Sequence, residues 1–150
     1  MAEDSRKILV DADACPVVEL ALKEGKKAGV SVVLITDTSH QLNRPGATVV
    51  TVDKGRDSAD FYLVNIVRPG DIVVTQDYGL AAMALAKKAV ALNQNGLIYT
   101  EENMGALLES RHISQKIRRA GGRTKGPAKR ARQQDESFQQ ALNNLLKTLM

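Results

Sequence analysis

Short apolar runs alternate with helical stripes along the chain, and this alternation most narrows the choice of fold. Lys7 to Ala12 (KILVDA), Val32 to Thr36, Thr48 to Val52 and Asp71 to Thr75 (DIVVT) are rich in aliphatic and β-branched residues and bounded by polar ones, so each reads as a strand. Between them, Val17, Leu20, Ala21 and Ala28 form a helical stripe with Pro16 at its start and Gly29 at its end. Asp57 to Val67 carries a second stripe through Ala59, Leu63, Ile66 and Val67, and Leu80 to Lys88 is an alanine-rich third helix. Asp37 to Gly46 and Pro69-Gly70 read as a loop and a turn. Strand and helix in turn predict an α/β domain of three layers, α/β/α, with a mainly parallel central sheet.

Beyond Lys88 the pattern changes. Ala89 to Leu92 and Leu97 to Thr100 read as two short strands or one bent strand. Glu101 to about Ala120 reads as a helix with a basic second half, which Gly121-Gly122 breaks. Arg123 to Gln134 reads as an irregular basic loop, and Phe138, Leu142, Leu145, Leu146 and Leu149 space as a final amphipathic helix. That helix either caps the domain or packs on a second copy, which would make a homodimer. A chain of 150 residues holds one ordinary domain. Residues 1–120 are expected to form its α/β unit, and 121–150 a basic loop and helix of the same domain.

Composition excludes several classes. With 43% apolar and 25% charged residues, the chain is neither disordered throughout nor a disulfide scaffold. Its apolar runs stop well short of the ~18 residues of a membrane span. The start, MAEDSRK, lacks the apolar core of an export signal, and Cys15 has no second cysteine to pair with, so a reducing cytoplasm is the expected compartment. Aromatics at 3%, with no Trp, argue against base stacking as the main way of binding nucleic acid, while leaving the phosphate backbone open to contact.

The net charge of +4 conceals an asymmetry. Residues 1–110 hold 11 Lys and Arg against 15 Asp and Glu, whereas residues 111–134 hold nine Lys and Arg and no acid. A basic segment on an acidic body favours a polyanion through counterion release. Arg118, Arg119, Arg123, Lys125, Lys129 and Arg130 are the candidate contacts, and the glycines among them suit a loop that wraps a phosphate. The plainer reading is a solvated basic helix and connector.

The acids fall at strand ends. Asp11 and Asp13 close the first strand two residues apart, on one side of an extended chain. Asp37, Asp53 and Asp77 follow the next three strands, and Asp57 and Asp60 open a helix on one face. Ligands of open α/β sheets bind beyond the carboxyl ends of the strands, so these carboxylates converge where a ligand is expected. Close carboxylates repel one another unless a cation lies between them. Oxygen ligands without His or Cys suit Mg²⁺ or Mn²⁺, with Asp11, Asp13, Asp57, Asp60 and Asp77 as candidate ligands. Such ions activate water and steady a leaving oxygen in phosphodiester hydrolysis. Asp57 also suits a helix cap, and Asp37 and Asp53 suit turns. Cys15 has no recognisable base in His40 or His112, and reads as a small, partly buried residue at a helix start.

The stretches VDADACPV (Val10 to Val17), RDSAD (Arg56 to Asp60), VTQDYGLA (Val74 to Ala81) and GGRTKGP (Gly121 to Pro127) together resemble the bacterial YaiI/YqxD family over nearly the whole chain. The resemblance implies a PIN-like domain. PIN-like nucleases carry an acid after the first strand, one on a middle helix and one in a T-x-D-x-x-L stretch. By similarity these positions are Asp11 with Asp13 beside it, Asp60, and Asp77, and the implied chemistry is ion-activated water attacking an RNA phosphodiester. Here the helix acid is Asp where Glu is usual, and no acid follows Asp77 until Glu101, so the usual fourth carboxylate has no clear counterpart.

Two other classes compete. Haloacid-dehalogenase-like phosphatases also place D-x-D after an apolar strand. There Asp11 would be the nucleophile, Asp13 the acid/base and Thr36 the second motif, with Lys54 a weak candidate for the lysine. A helix starting at Pro16 leaves little room for their usual flap. The third class is a non-catalytic module that binds nucleic acid through the basic segment.

Overall fold

The computed structural model describes residues 6–13, 15–37, 45–53, 58–107, 109, 121 and 130–148. Five strands, β1 (Lys7–Asp11), β2 (Ser31–Asp37), β3 (Thr48–Val52), β4 (Ile72–Val74) and β5 (Val90–Leu92), form one sheet in the order β3-β2-β1-β4-β5. Every neighbouring pair is parallel. The first three strands step outward from β1 in one direction, and the last two step outward in the other. The order therefore reverses between β1 and β4, which makes their carboxyl ends the topological switch point.

The helices among the described residues are α1 (Val18–Ala28), α2 (Ser58–Ile66), α3 (Tyr78–Ala86), α4, described over 101–107, and α5 (Arg132–Thr148). Alternation along each strand assigns the layers. Ile8, Val10, Val32, Leu34, Ile72, Val74 and Leu92 face one way and bury against Val18 and Ala21 of α1 and Phe138, Leu142 and Leu146 of α5. Leu9, Val33, Ile35, Val73 and Ala91 face the other way, against Leu63 of α2, Leu80, Ala81 and Ala84 of α3, Tyr99, and Met104 of α4. The result is the expected three-layer α/β/α arrangement, and the last helix caps its own chain's core. Among the described residues no helix is long and apolar enough to cross a membrane.

Local chemistry explains where the elements begin and end, and where the sequence reading shifts. Helix α1 starts at Val18 with Val17 as its cap, so Pro16 precedes the first turn, while Gly29 ends the helix in a left-handed conformation at φ 71°. Asp77 caps α3 through its side chain, which places the start at Tyr78, ahead of the apolar stripe. At α4, Thr100 and Asn103 exchange side-chain and backbone hydrogen bonds as a capping box. The expected strand Leu97 to Thr100 reduces to one antiparallel bridge, Leu92 to Ile98. The cause is a tight turn in which Asn93 Oδ1 accepts the N–H groups of Asn95 and Leu97. Helix α5 begins at Arg132, within the stretch read as loop.

Candidate active site

Asp11 is the last residue of β1, and Val10 lies in register with Val74 of β4. Thr75, one step beyond β4, therefore stands beside Asp11 across the switch point. Its buried hydroxyl donates to Asp11 Oδ2 at 3.0 Å and accepts the backbone N–H of Asp77 at 3.0 Å. One hydroxyl thus links the Asp11 carboxylate to the Asp77 backbone. Asp77 in turn accepts the N–H of Leu80 through Oδ1 at 3.1 Å, closing the first turn of α3. On the other side of β1, the buried Thr36 of β2 donates to Asp13 Oδ1 at 2.5 Å. Beyond β1 the Ala12 N–H bonds to the Ile35 carbonyl at 2.9 Å, and the chain then turns at Asp13, with Cys15 N–H bonded to the Ala12 carbonyl at 3.2 Å, rather than running on extended as the sequence reading expects. Behind this edge, the Tyr99 hydroxyl donates to the Thr75 carbonyl at 3.1 Å, and its ring meets Tyr78 edge-on.

The electrostatics follow from that crowding. Burial pushes the Asp11 carboxyl pKa up, the Thr75 hydroxyl holds it back, and Asp13 and Asp77 push it up further. Asp13 and Asp77 therefore each lie within electrostatic reach of Asp11. The Tyr99 phenol is pushed up to about 12, first by burial and then by Tyr78 and Asp77. It stays protonated and remains a donor. Burial also pushes the Cys15 thiol up; the Val17 N–H lowers it, Asp11 raises it and Arg130 lowers it. A half-buried thiol held in its neutral form fits the reading of Cys15 as non-nucleophilic.

Asp60 comes to the same region by another route. It lines a cleft of about 250 Å³ between α2 and α3 together with Asp77, Phe61, Val64, Gly79, Leu80 and Met83. Asp37 ends β2, and Asp53 lies exposed beyond β3, toward the sheet edge away from β4. Asp57, Lys54, His40, His112, Arg118, Arg119, Arg123, Lys125 and Lys129 lie outside the described residues.

The donor set bears on which ion could sit here. Among the described residues, no three His, Cys, Asp or Glu side chains are placed to hold one ion. Mg²⁺, however, takes one or two carboxylates, keeps several waters and completes its shell with substrate phosphate. The repulsion that Asp13 and Asp77 exert on Asp11 is the kind a cation relieves. The residues thus fit a largely hydrated Mg²⁺ or Mn²⁺ rather than an ion caged by three carboxylates.

Arg130 is held inside the protein. Its Nε donates to Asp135 at 2.7 Å, and its two terminal nitrogens donate to Asn95 Oδ1 and the Gln94 carbonyl at 2.8 Å each. The sequence reading made it a ligand for phosphate; in the structure it clamps the entry of α5 to the turn after β5. It also lies near enough to Cys15 to lower that thiol's pKa, so the end of the basic segment is fixed beside the acidic edge. Thr75 was absent from the sequence-derived site, although the T-x-D spacing held the signal. Thr36 was considered only as a phosphatase motif, and its hydroxyl proton goes to Asp13.

A sequence model described as "Uncharacterized BCR, YaiI/YqxD family" matches residues 9–148. A UPF0178 protein of Ruminiclostridium cellulolyticum is 60% identical over 91% of this chain and 89% of its own length. One from Exiguobacterium sibiricum is 57% identical over 93% and 96%, and one from Natranaerobius thermophilus is 46% identical over 93% and 95%. No solved structure matches the chain. The chain belongs to the YaiI/YqxD family.

Proposed function

We propose that this YaiI/YqxD-family protein is a Mg²⁺- or Mn²⁺-dependent nuclease that hydrolyses phosphodiester bonds of RNA or structured nucleic acid at the carboxyl edge of its sheet. One observation carries the reading: at the switch point the Thr75 hydroxyl holds the Asp11 carboxylate, with Asp13, itself held by Thr36, and Asp77 both within electrostatic reach of Asp11. When bound, the ion supplies a water of lowered pKa and offsets the charge of the phosphate. Asp11 would hold it with one further carboxylate, from Asp13 or Asp77, water and phosphate filling the rest of its shell, and Asp60 lines the α2–α3 cleft beside Asp77. Thr75 and Thr36 orient the carboxylates, as outer partners do around metal sites. Arg130 fixes one end of the basic segment near this edge, and Arg123, Lys125 and Lys129 steady the strand through its phosphates.

The test is cleavage of a labelled single-stranded RNA with Mn²⁺ present. Asp11→Asn is expected to lower the rate by more than the roughly 10–100-fold that loss of an outer partner costs. Cleavage at the wild-type rate by Asp11→Asn, or an equal rate in chelator, contradicts the proposal. A second reading has one observation in its favour: residues 111–134 hold nine Lys and Arg and no acid, which suits a module that binds nucleic acid without cutting it. RNA binding that is indifferent to chelator and unaccompanied by cleavage decides for that reading.

A further inference from the structure

Helix α3, YGLAAMALA, contains no charged residue. Leu80, Ala81 and Ala84 are buried, yet Ala82, Met83 and Ala86 face solvent. A surface helix normally turns polar residues outward, and one that is apolar all round is normally buried. Across the cleft, Phe61 of α2 is 66% exposed and Met83 is 52% exposed. Single exposed apolar residues are ordinary, but a contiguous patch marks a binding surface. This patch shares its cleft with Asp60 and Asp77, two acids of the proposed site. At about 250 Å³ the cleft is smaller than the roughly 300–1,000 Å³ that takes a drug-sized ligand. It is also tight for a partner helix of about 10–12 Å diameter, but it suits one planar ring.

We infer that the α2–α3 cleft seats one unpaired nucleobase against the Phe61 ring, with Met83 and Val64 as its apolar walls. The inference rests on the nucleic-acid reading of the neighbouring carboxylates. Asp60, Asp77 and Phe61 all line this one cleft, so a nucleotide whose phosphate lies at the acids has its base within reach of the ring. Every base has a π-face, so the seat is tolerant of sequence and selects single strands over duplex. One ring is enough for one base, so the low aromatic content is no obstacle to a single stacking interaction.

The chain has no Trp, so Phe61→Trp introduces a single tryptophan at the seat, whose emission is excited selectively over that of the three tyrosines. A short oligoadenylate is expected to quench its emission, while an abasic oligomer of the same length and a duplex are not. In parallel, the affinity for a labelled oligoadenylate, read by anisotropy, is expected to weaken about 5- to 150-fold for Phe61→Ala, the loss of one stacked base, and to be retained by Phe61→Tyr. Binding of the oligomer without quenching, or an unchanged affinity in Phe61→Ala, overturns the seat. So does an emission shift that depends on protein concentration without nucleic acid, which assigns the patch to a second copy. Wild-type cleavage measured alongside separates the two ideas. Cleavage without quenching leaves the nuclease and removes the seat, and quenching without cleavage does the reverse.

Discussion

Asp11 is partly buried, with Asp13 and Asp77 near enough to push its carboxyl pKa upward. A folded-state pKa above the unfolded one means that the native state holds the proton more tightly. The stabilisation is complete below the ordinary value of 3.8 and is lost as pH rises through the raised value, so at neutral pH the ionised carboxylate opposes folding. In chelator, Asp11→Asn is therefore expected to raise the thermal midpoint at pH 7 and to leave it unchanged near pH 3. Unfolding followed by circular dichroism checks this, and a lowered midpoint at pH 7 contradicts it. Thr75→Val removes the donor to Asp11 and the acceptor for the Asp77 N–H. Its expected effect is a further rise in the Asp11 pKa, read by carboxyl NMR, and a roughly 10–100-fold loss of metal affinity or activity, both restored by Thr75→Ser. The D-A-D pair was legible because an apolar strand ended in it. Thr75's double hydrogen bond was not, because it depends on β4 lying next to β1, a pairing of residues far apart in sequence. Asp77's part as a helix cap was hidden for a nearer reason: Tyr78 and Gly79 interrupt the apolar pattern that marks α3.

Among the elements, α5 shows most clearly what periodicity can and cannot supply. Phe138, Leu142 and Leu146 announced an amphipathic helix, and all three are buried against α1 and the sheet. Its first turns were missed because Arg132 to Ser137 contains no apolar residue to carry the period; the Arg130–Asp135 pair holds that end instead. The turn after β5 presses on the same helix. Gly96, at φ 86°, comes so close that an added Cβ would lie 2.5 Å from the Ser137 carbonyl oxygen. Leu97 and Ile98 looked like strand on apolar content alone, but the Asn93 side chain takes the Leu97 N–H at one end and the Thr100–Asn103 cap starts α4 at the other. Phe138→Ala is expected to cost about 3–5 kcal/mol, the usual penalty for a fully buried ring. Urea denaturation measures it, and a loss under about 1 kcal/mol would mean that α5 is not docked as described.

At the scale of the molecule, the alternation of strand and helix was enough to specify layers and a parallel sheet, because each apolar run needs cover on both faces. Strand order was not legible, yet it decides the site: only with β4 beside β1 do Asp11 and Asp77 share a neighbour. Charge is divided on the same plan, with an acidic body to residue 110 and a basic stretch from 111 to 134. Arg130, within that stretch, lies near enough to Cys15 to lower its thiol pKa. RNA affinity is accordingly expected to fall steeply with salt. Replacing Arg123, Lys125 and Lys129 by Ala should flatten the log–log slope by about 0.7 for each phosphate no longer neutralised. An unchanged slope, measured by anisotropy across a salt series, would place the RNA elsewhere. The most direct test of the acidic edge is calorimetric titration of Mn²⁺ into wild type and Asp11→Asn with a short RNA present. Binding of one or two ions by the wild type, abolished in the variant, is the expected result; no binding by the wild type, or equal binding by both, contradicts a metal-dependent site at Asp11.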